Sequence, residues 1–214
     1  KKHDVLMVAD EVICGFRRTG NVFGSNTYGI TPDIMVVAKQ LSSAYLPISA
    51  VVINEKVYGP IRDFSDENGV LATGFTYSGH PVPAAVAVET LKIYDELDIA
   101  GHVNKMSPIM QERIADLADH PIVGEARGVG LIGAVELVKD KGTKENFAPA
   151  IAAYCGDACL AHGLILRAAA GNAVAACPPL IIKEDEIHQM FDRFKLGLDD
   201  TWAYVQKENL LAAE

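Results

Sequence analysis

Three short runs near the start of the chain lack polar alternation: Val5 to Ala9, Ile34 to Ala38 and Ile48 to Ile53. A strand with water on one face alternates apolar and polar residues, so such runs predict strands of a sheet covered on both faces, separated by glycine-bearing loops. From Pro83 to Leu97 the spacing of Val86, Val88, Leu91, Ile93 and Tyr94 predicts a helix begun near a proline. A second helix is expected from Ala100 to Asp119, with Val103, Met106, Ile109, Met110, Ile114 and Leu117 at three-and-four spacing. Beyond His120-Pro121 the pattern predicts a strand at Leu131 to Val138 and an alanine-rich helix at Asn146 to His162. A strand at Leu164 to Arg167 and an amphipathic helix at Lys183 to Val205 follow. The first region reads as α/β and the second as a smaller α+β unit. The division is placed near Leu97, giving expected domains 1–97 and 98–214.

Composition narrows the classes. Half of the 214 residues are hydrophobic and 22% are charged, which excludes collagen, coiled coil and intrinsic disorder. The balance of 19 basic against 28 acidic residues gives a net charge of −9, with no Lys/Arg cluster longer than the pair Arg17-Arg18, so nucleic acid is not an expected partner. No apolar run approaches the roughly 18 to 20 residues of a bilayer span, and no membrane role is expected. Asp10-Glu11 follows the first apolar run too soon for a signal peptide, so the expected location is cytoplasmic. The four cysteines, Cys14, Cys155, Cys159 and Cys177, form no C-x-x-C and read as buried free thiols. The six histidines show no ligand spacing, and no metal is predicted.

Two charged residues directly follow buried strands: Asp10 after the first and Lys39 after the second. Ligands of open α/β sheets sit at the carboxyl ends of strands, so both charges are expected to point into one crevice. A lysine there is partly desolvated, which favours the neutral amine and a nucleophilic role toward a carbonyl. Pyridoxal phosphate suits the pair, because it takes a Schiff base from lysine and needs a carboxylate at its pyridine nitrogen. The plainer alternative is that the aspartate caps the next turn and the lysine returns to solvent.

The wording around this pair resembles the class III aminotransferases. The segments carrying it are Asp10-Glu-Val-Ile-Cys-Gly-Phe-Arg-Arg-Thr-Gly20, Thr31-Pro-Asp33, Ala38-Lys-Gln-Leu-Ser-Ser43 and Phe75-Thr-Tyr-Ser-Gly-His-Pro81. The resemblance implies the fold type I architecture. The chain would supply the carboxy-terminal part of the large domain, a mostly parallel sheet with helices on both faces, and a small α+β carboxy-terminal domain. It further implies pyridoxal 5'-phosphate as cofactor, Lys39 as the catalytic Schiff-base lysine, Asp10 at the pyridinium, Val12 against the ring and Thr76 at the phosphate of a neighbouring subunit's cofactor. A homodimer with sites at the interface follows. Near the end, Gly163-Leu-Ile-Leu-Arg167, Gly171-Asn172 and Pro178-Pro-Leu-Ile-Ile182 look like the amine:pyruvate branch, the ω-transaminases, whose mobile substrate-binding arginine corresponds to Arg167. A guanidinium fork grips a carboxylate bidentately, and its flexible stem lets it leave. The implied substrates are small amines and 2-oxo acids.

Gly128-Val-Gly130-Leu-Ile-Gly133 satisfies G-x-G-x-x-G, but its glycines lead into a predicted strand rather than a helix, so a dinucleotide site is rejected. Two departures from the family stand out: Arg17 occupies a position where the family usually has glycine, and the family's amino-terminal half has no counterpart. The chain is therefore expected to be the carboxy-terminal portion of a longer or split enzyme, inactive by itself. Other class III specificities (γ-aminobutyrate, diamine or 2-oxoglutarate-dependent aminotransferase, or aminomutase) stay open. So does a non-catalytic α/β binding or scaffold module in which Asp10 and Lys39 pair with each other.

Overall fold

A computed structural model describes residues 3–71, 73–147, 150–169 and 171–211. The chain divides into two compact units, Lys1–Gly101 and His102–Glu214. Among the described residues no helix is long and apolar enough to cross a membrane.

The first unit is built on a three-stranded sheet of β1 (Val8–Asp10), β2 (Ile34–Val37) and β3 (Ala50–Ile53), with a short helical turn α1 (Gly24–Thr27) between the first two strands. β1 runs parallel to β2, with Asp10 opposite Val36, and β3 returns antiparallel, with Ile53 opposite Ile34. Each predicted strand is therefore present, though shorter than its apolar run. Complete burial of these strands, expected from the unbroken apolar runs, is not observed: Val8, Val51 and Val52 are exposed.

Helix α2 (Glu55–Asn68) carries no sequence expectation. Its start is set by Asn54, whose side chain accepts from the Val57 backbone N–H at 3.1 Å. Its interior holds Gly59 and Pro60 and none of its residues is buried, so the apolar stripe that announces a packed helix is missing. Helix α3 (Pro81–Glu96) begins at the proline, with His80 accepting from Val82 N–H at 3.2 Å, and buries Ala87, Thr90 and Tyr94. The first turn of α4 (Ile99–Asp116) closes the unit.

In the second unit, α4 presents Val103, Met106, Met110 and Ile114 to the core, as the spacing predicted. Strands β4 (Val123–Val129), β5 (Ile132–Asp140), β7 (Arg167–Ala168) and β8 (Ala173–Ala176) form an antiparallel sheet in the order β4-β5-β8-β7, and the short β6 (Glu145–Asn146) pairs with β5. The three glycines of the G-x-G-x-x-G pattern belong to the β4–β5 hairpin: Gly128 pairs with Gly133, and Gly130 makes the turn at φ 60°. A side chain at Gly133 would lie 2.2 Å from Ile114 Cδ1. These glycines serve strand pairing and close packing against α4.

Helices α5 (Ala150–Ala161) and α6 (Glu184–Lys207) pack against each other. A Cβ at Gly197 would meet Cys159 Sγ at 2.4 Å, so this glycine sets how closely the helices approach. Cys155 and Cys159 are fully buried free thiols, but Cys14 is only half-buried and Cys177 is exposed, corrections to the expectation for those two residues.

Candidate active site

Asp10 is the last residue of β1, and Lys39 stands two residues past the end of the parallel neighbour β2, so both leave the sheet at the strands' carboxyl ends. The register is continued beyond the strand by Glu11 N–H, which donates to Val36 C=O at 2.9 Å. The Asp10 carboxylate accepts from Val12 N–H at 3.0 Å through Oδ1, an Asx turn that fixes its direction while the second oxygen stays available. The turn-capping alternative is thus present, and it occupies one oxygen only.

Lys39 opens a short 3-10 turn, Lys39–Leu41, with φ at 44°, in the left-handed region that a long side chain rarely adopts. Such a conformation costs on the order of 1–3 kcal/mol and persists where surrounding structure over-determines it. Among the described residues its amine has no hydrogen-bond or ion-pair partner, and no ion pair joins it to Asp10. The mutual salt bridge required by the scaffold alternative is absent among the described residues. Lys39 is exposed, so the desolvation expected around its amine is not supplied by this unit.

Glu11 was missed by sequence reasoning as a site-building residue. Strand alternation turns consecutive side chains to opposite faces: Asp10 is exposed, whereas Glu11 is 3% exposed. Its carboxylate accepts from Gly24 N–H at 2.8 Å and Ser25 N–H at 2.6 Å, satisfying the orphan donors at the start of α1. A side chain at Gly24 would approach Cys14 Cβ to 2.8 Å and Glu11 Oε2 to 3.1 Å, so the glycine belongs to the same arrangement. The readable signal was an acidic doublet at a strand end followed by a Gly-Ser pair.

Val12 is half-buried in the loop after β1, beside the Asp10 turn. Thr76 is exposed in the turn before α3, where Ser78 Oγ accepts from Phe75 N–H at 3.0 Å and Ser78 N–H donates to Phe75 C=O at 2.9 Å. Asp10, Val12, Lys39 and Thr76 all lie in the first unit, and Arg167 in the second. Arg167 opens β7 rather than closing a strand, and pairs with Ala175 of β8. Its guanidinium is exposed and without an ion-pair partner among the described residues, unlike Arg113 and Arg127 of the same unit, which are bound to carboxylates.

The family model "Aminotransferase class-III" matches residues 1–198. Among curated proteins, the chloroplastic gamma aminobutyrate transaminase 3 of Solanum lycopersicum is 45% identical over 94% of this chain and 39% of its own length. The putrescine–pyruvate aminotransferase of Pseudomonas aeruginosa is 45% identical over 95% of this chain and 44% of its own. Among solved structures, the omega transaminase from Pseudomonas jessenii in complex with PMP superposes with a TM-score of 0.90 at 49% identity, covering 96% of this chain and 46% of that one. The chain thus spans less than half the length of these relatives. Its mixed α/β units are those of the fold type I transaminases. The chain belongs to the class-III aminotransferases, a pyridoxal-phosphate-dependent family.

Proposed function

We propose that the complete protein transfers an amino group from a primary amine or ω-amino acid to pyruvate, at a site carried by Asp10 and Lys39. One observation carries this reading: a lysine and an aspartate leave adjacent parallel strands at the same end, unpaired with each other. A free amine and a carboxylate with one uncommitted oxygen are the donor set that pyridoxal phosphate requires, so the residues present fit the cofactor. Lys39 would anchor it, Asp10 would hold its ring nitrogen, Val12 would pack on the ring, and Thr76 would reach the phosphate bound by a second copy.

When bound, the cofactor supplies an electron sink for the donor's carbon–hydrogen bond and carries the amino group between half-reactions. Asp10 keeps its ring nitrogen partner protonated by opposing a fixed negative charge to it. Lys39 Nζ takes the proton from the donor's reacting carbon as a base and returns it as an acid. Arg167 binds the carboxylate of the oxo acid, a role supported by its lack of a competing carboxylate among the described residues.

Pyruvate as acceptor is supported by the likeness to the putrescine–pyruvate aminotransferase. The equal likeness to a gamma aminobutyrate transaminase favours that ω-amino acid as a second donor. We propose the two units as a part of the large cofactor-binding domain and as the small domain, and the working enzyme as a homodimer. The apolar side chains exposed on the first unit's sheet support it, being surface of the kind that further chain or a second copy buries.

The test is a donor and acceptor profile of the complete protein. Putrescine, γ-aminobutyrate and 1-phenylethylamine are each offered with pyruvate and with 2-oxoglutarate. Turnover with pyruvate, abolished by Lys39→Ala, is expected; turnover only with 2-oxoglutarate moves the assignment to another class III specificity.

A further inference from the structure

The two loops that leave the site strands hold most of the left-handed non-glycine backbone among the described residues. Of nine non-glycine residues with positive φ among the described residues, five lie here: Phe16 at 54°, Arg17 at 81°, Lys39 at 44°, Ser43 at 47° and Ala44 at 61°. Conformations of this kind survive when neighbouring contacts hold them, and both loops are held by the last turn of α3.

Tyr94, buried at 8% exposure, donates its hydroxyl proton to Gln40 C=O at 3.0 Å, one residue past Lys39. That proton being committed, the 2.5 Å contact with Ser43 runs from Ser43 Oγ–H to Tyr94 Oη. The chain Ser43–Tyr94–Gln40 spans both ends of the turn that Lys39 begins. Burial pushes the Tyr94 hydroxyl above its ordinary value, so it remains a donor at neutral pH. The next residue, Asp95, accepts from Arg17 Nη2 at 2.6 Å. The two loops also touch directly, the Gln40 amide lying 3.3 Å from Ile13 C=O and 3.2 Å from the Arg18 guanidinium.

Glycine adopts a φ of 81° without penalty and needs no tether, whereas an arginine there must be held. The Asp95 ion pair supplies the hold. Arg17 is therefore committed to α3.

We propose that Tyr94 and Asp95 are positioning residues: together they hold the Lys39 turn and the loop after Asp10 in left-handed conformations, and so fix where the two functional groups emerge. The inference rests on the reading of Asp10 and Lys39 given above. Neither Tyr94 nor Asp95 touches substrate in this assignment.

Tyr94→Phe and Asp95→Asn, made in the complete protein, test it by two readouts. The first is amide hydrogen exchange of the cofactor-free protein. Ser42 and Ala44, whose amides donate to Lys39 C=O at 3.1 and 3.3 Å, report one loop; Gly20, whose amide donates to Arg17 C=O at 2.9 Å, reports the other. Tyr94→Phe is expected to speed exchange about tenfold at Ser42 and Ala44, and Asp95→Asn about tenfold at Gly20, each leaving the other loop slower to change. The second readout is pyridoxal phosphate retention together with the pH midpoint of its visible absorbance. Each variant should weaken retention about tenfold and move the midpoint.

Arg17→Gly added to Asp95→Asn should restore retention, because glycine holds the loop without a partner; a simple structural ion pair would not be rescued by deleting its other half. Unchanged exchange, exchange quickened evenly across the first unit, or a failed rescue overturns the clamp. A wild-type protein that takes up no pyridoxal phosphate overturns the proposed function instead, while the exchange data still decide the clamp.

Discussion

Replacing Glu11 with alanine strips two backbone donors of their acceptor. The Gly24 and Ser25 N–H groups lie 2.8 and 2.6 Å from the carboxylate, and both residues are buried, so water does not readily take its place. A hydrogen bond to a charged group contributes about 1.5–3 kcal/mol, and an orphaned buried donor costs about 1–3 kcal/mol. Two such bonds together imply a loss of about 3–6 kcal/mol for Glu11→Ala. Glu11→Gln keeps one acceptor oxygen and turns an amide NH2 toward the other donor, which implies about 1.5–3 kcal/mol. The assay is the urea midpoint of the cofactor-free complete protein, with Asp63→Asn as a control. Asp63 pairs with Arg62 on the exposed face of α2 and should change stability by less than about 0.5 kcal/mol. A Glu11→Ala loss below about 1 kcal/mol, or a glutamine variant no better than alanine, would refute the assignment.

Gly197→Ala should destabilise by about 1–3 kcal/mol despite the better helix propensity of alanine, because its Cβ would sit 2.4 Å from Cys159 Sγ and 3.0 Å from Cys159 N; calorimetry of Gly197→Ala and of Gly197→Ala with Cys159→Ala measures the cost and its partial relief. His120 is buried, with Nε2 3.3 Å from Asp199 and Nδ1 lacking a partner among the described residues, and desolvation lowers its pKa. The native state then binds that proton less readily than the unfolded chain. Stability should therefore fall as pH drops from about 6.5 toward the lower native value, by at most about 1.4 kcal/mol per pH unit, and His120→Asn should flatten that slope in urea titrations at several pH values. Arg167→Ala should leave stability within about 0.5 kcal/mol, since the guanidinium has no ion-pair partner among the described residues, while selectively raising KM for carboxylated substrates; equal losses for all donors in steady-state kinetics would count against the role.

Strand β2 was legible almost to the residue, because an unbroken Ile-Met-Val-Val run has few alternative readings. Helix α2 was hidden by Gly59 and Pro60 and by the absence of any buried face. Strand β8, Ala173–Ala176, pairs with both β5 and β7, yet alanine carries little strand signal and its burial comes from those partners. Asp10 and Lys39 could be singled out as charges following apolar runs. The backbone state of Lys39, with φ at 44°, could not, since nothing local announces that Tyr94, more than fifty positions away, donates to the carbonyl of the next residue, Gln40. Glu11 shows the same limit: alternation indicates that it turns inward, but its two backbone partners are fixed by how α1 returns to the sheet.

The most direct measurement is the absorbance spectrum of the complete protein with added pyridoxal phosphate, before and after borohydride, followed by peptide mapping of the reduced adduct. A visible band lost on reduction, with the label on Lys39, is the predicted result. A folded, full-length protein that yields no adduct, or one labelled at another lysine, would contradict the assignment of Lys39 and the site built around it.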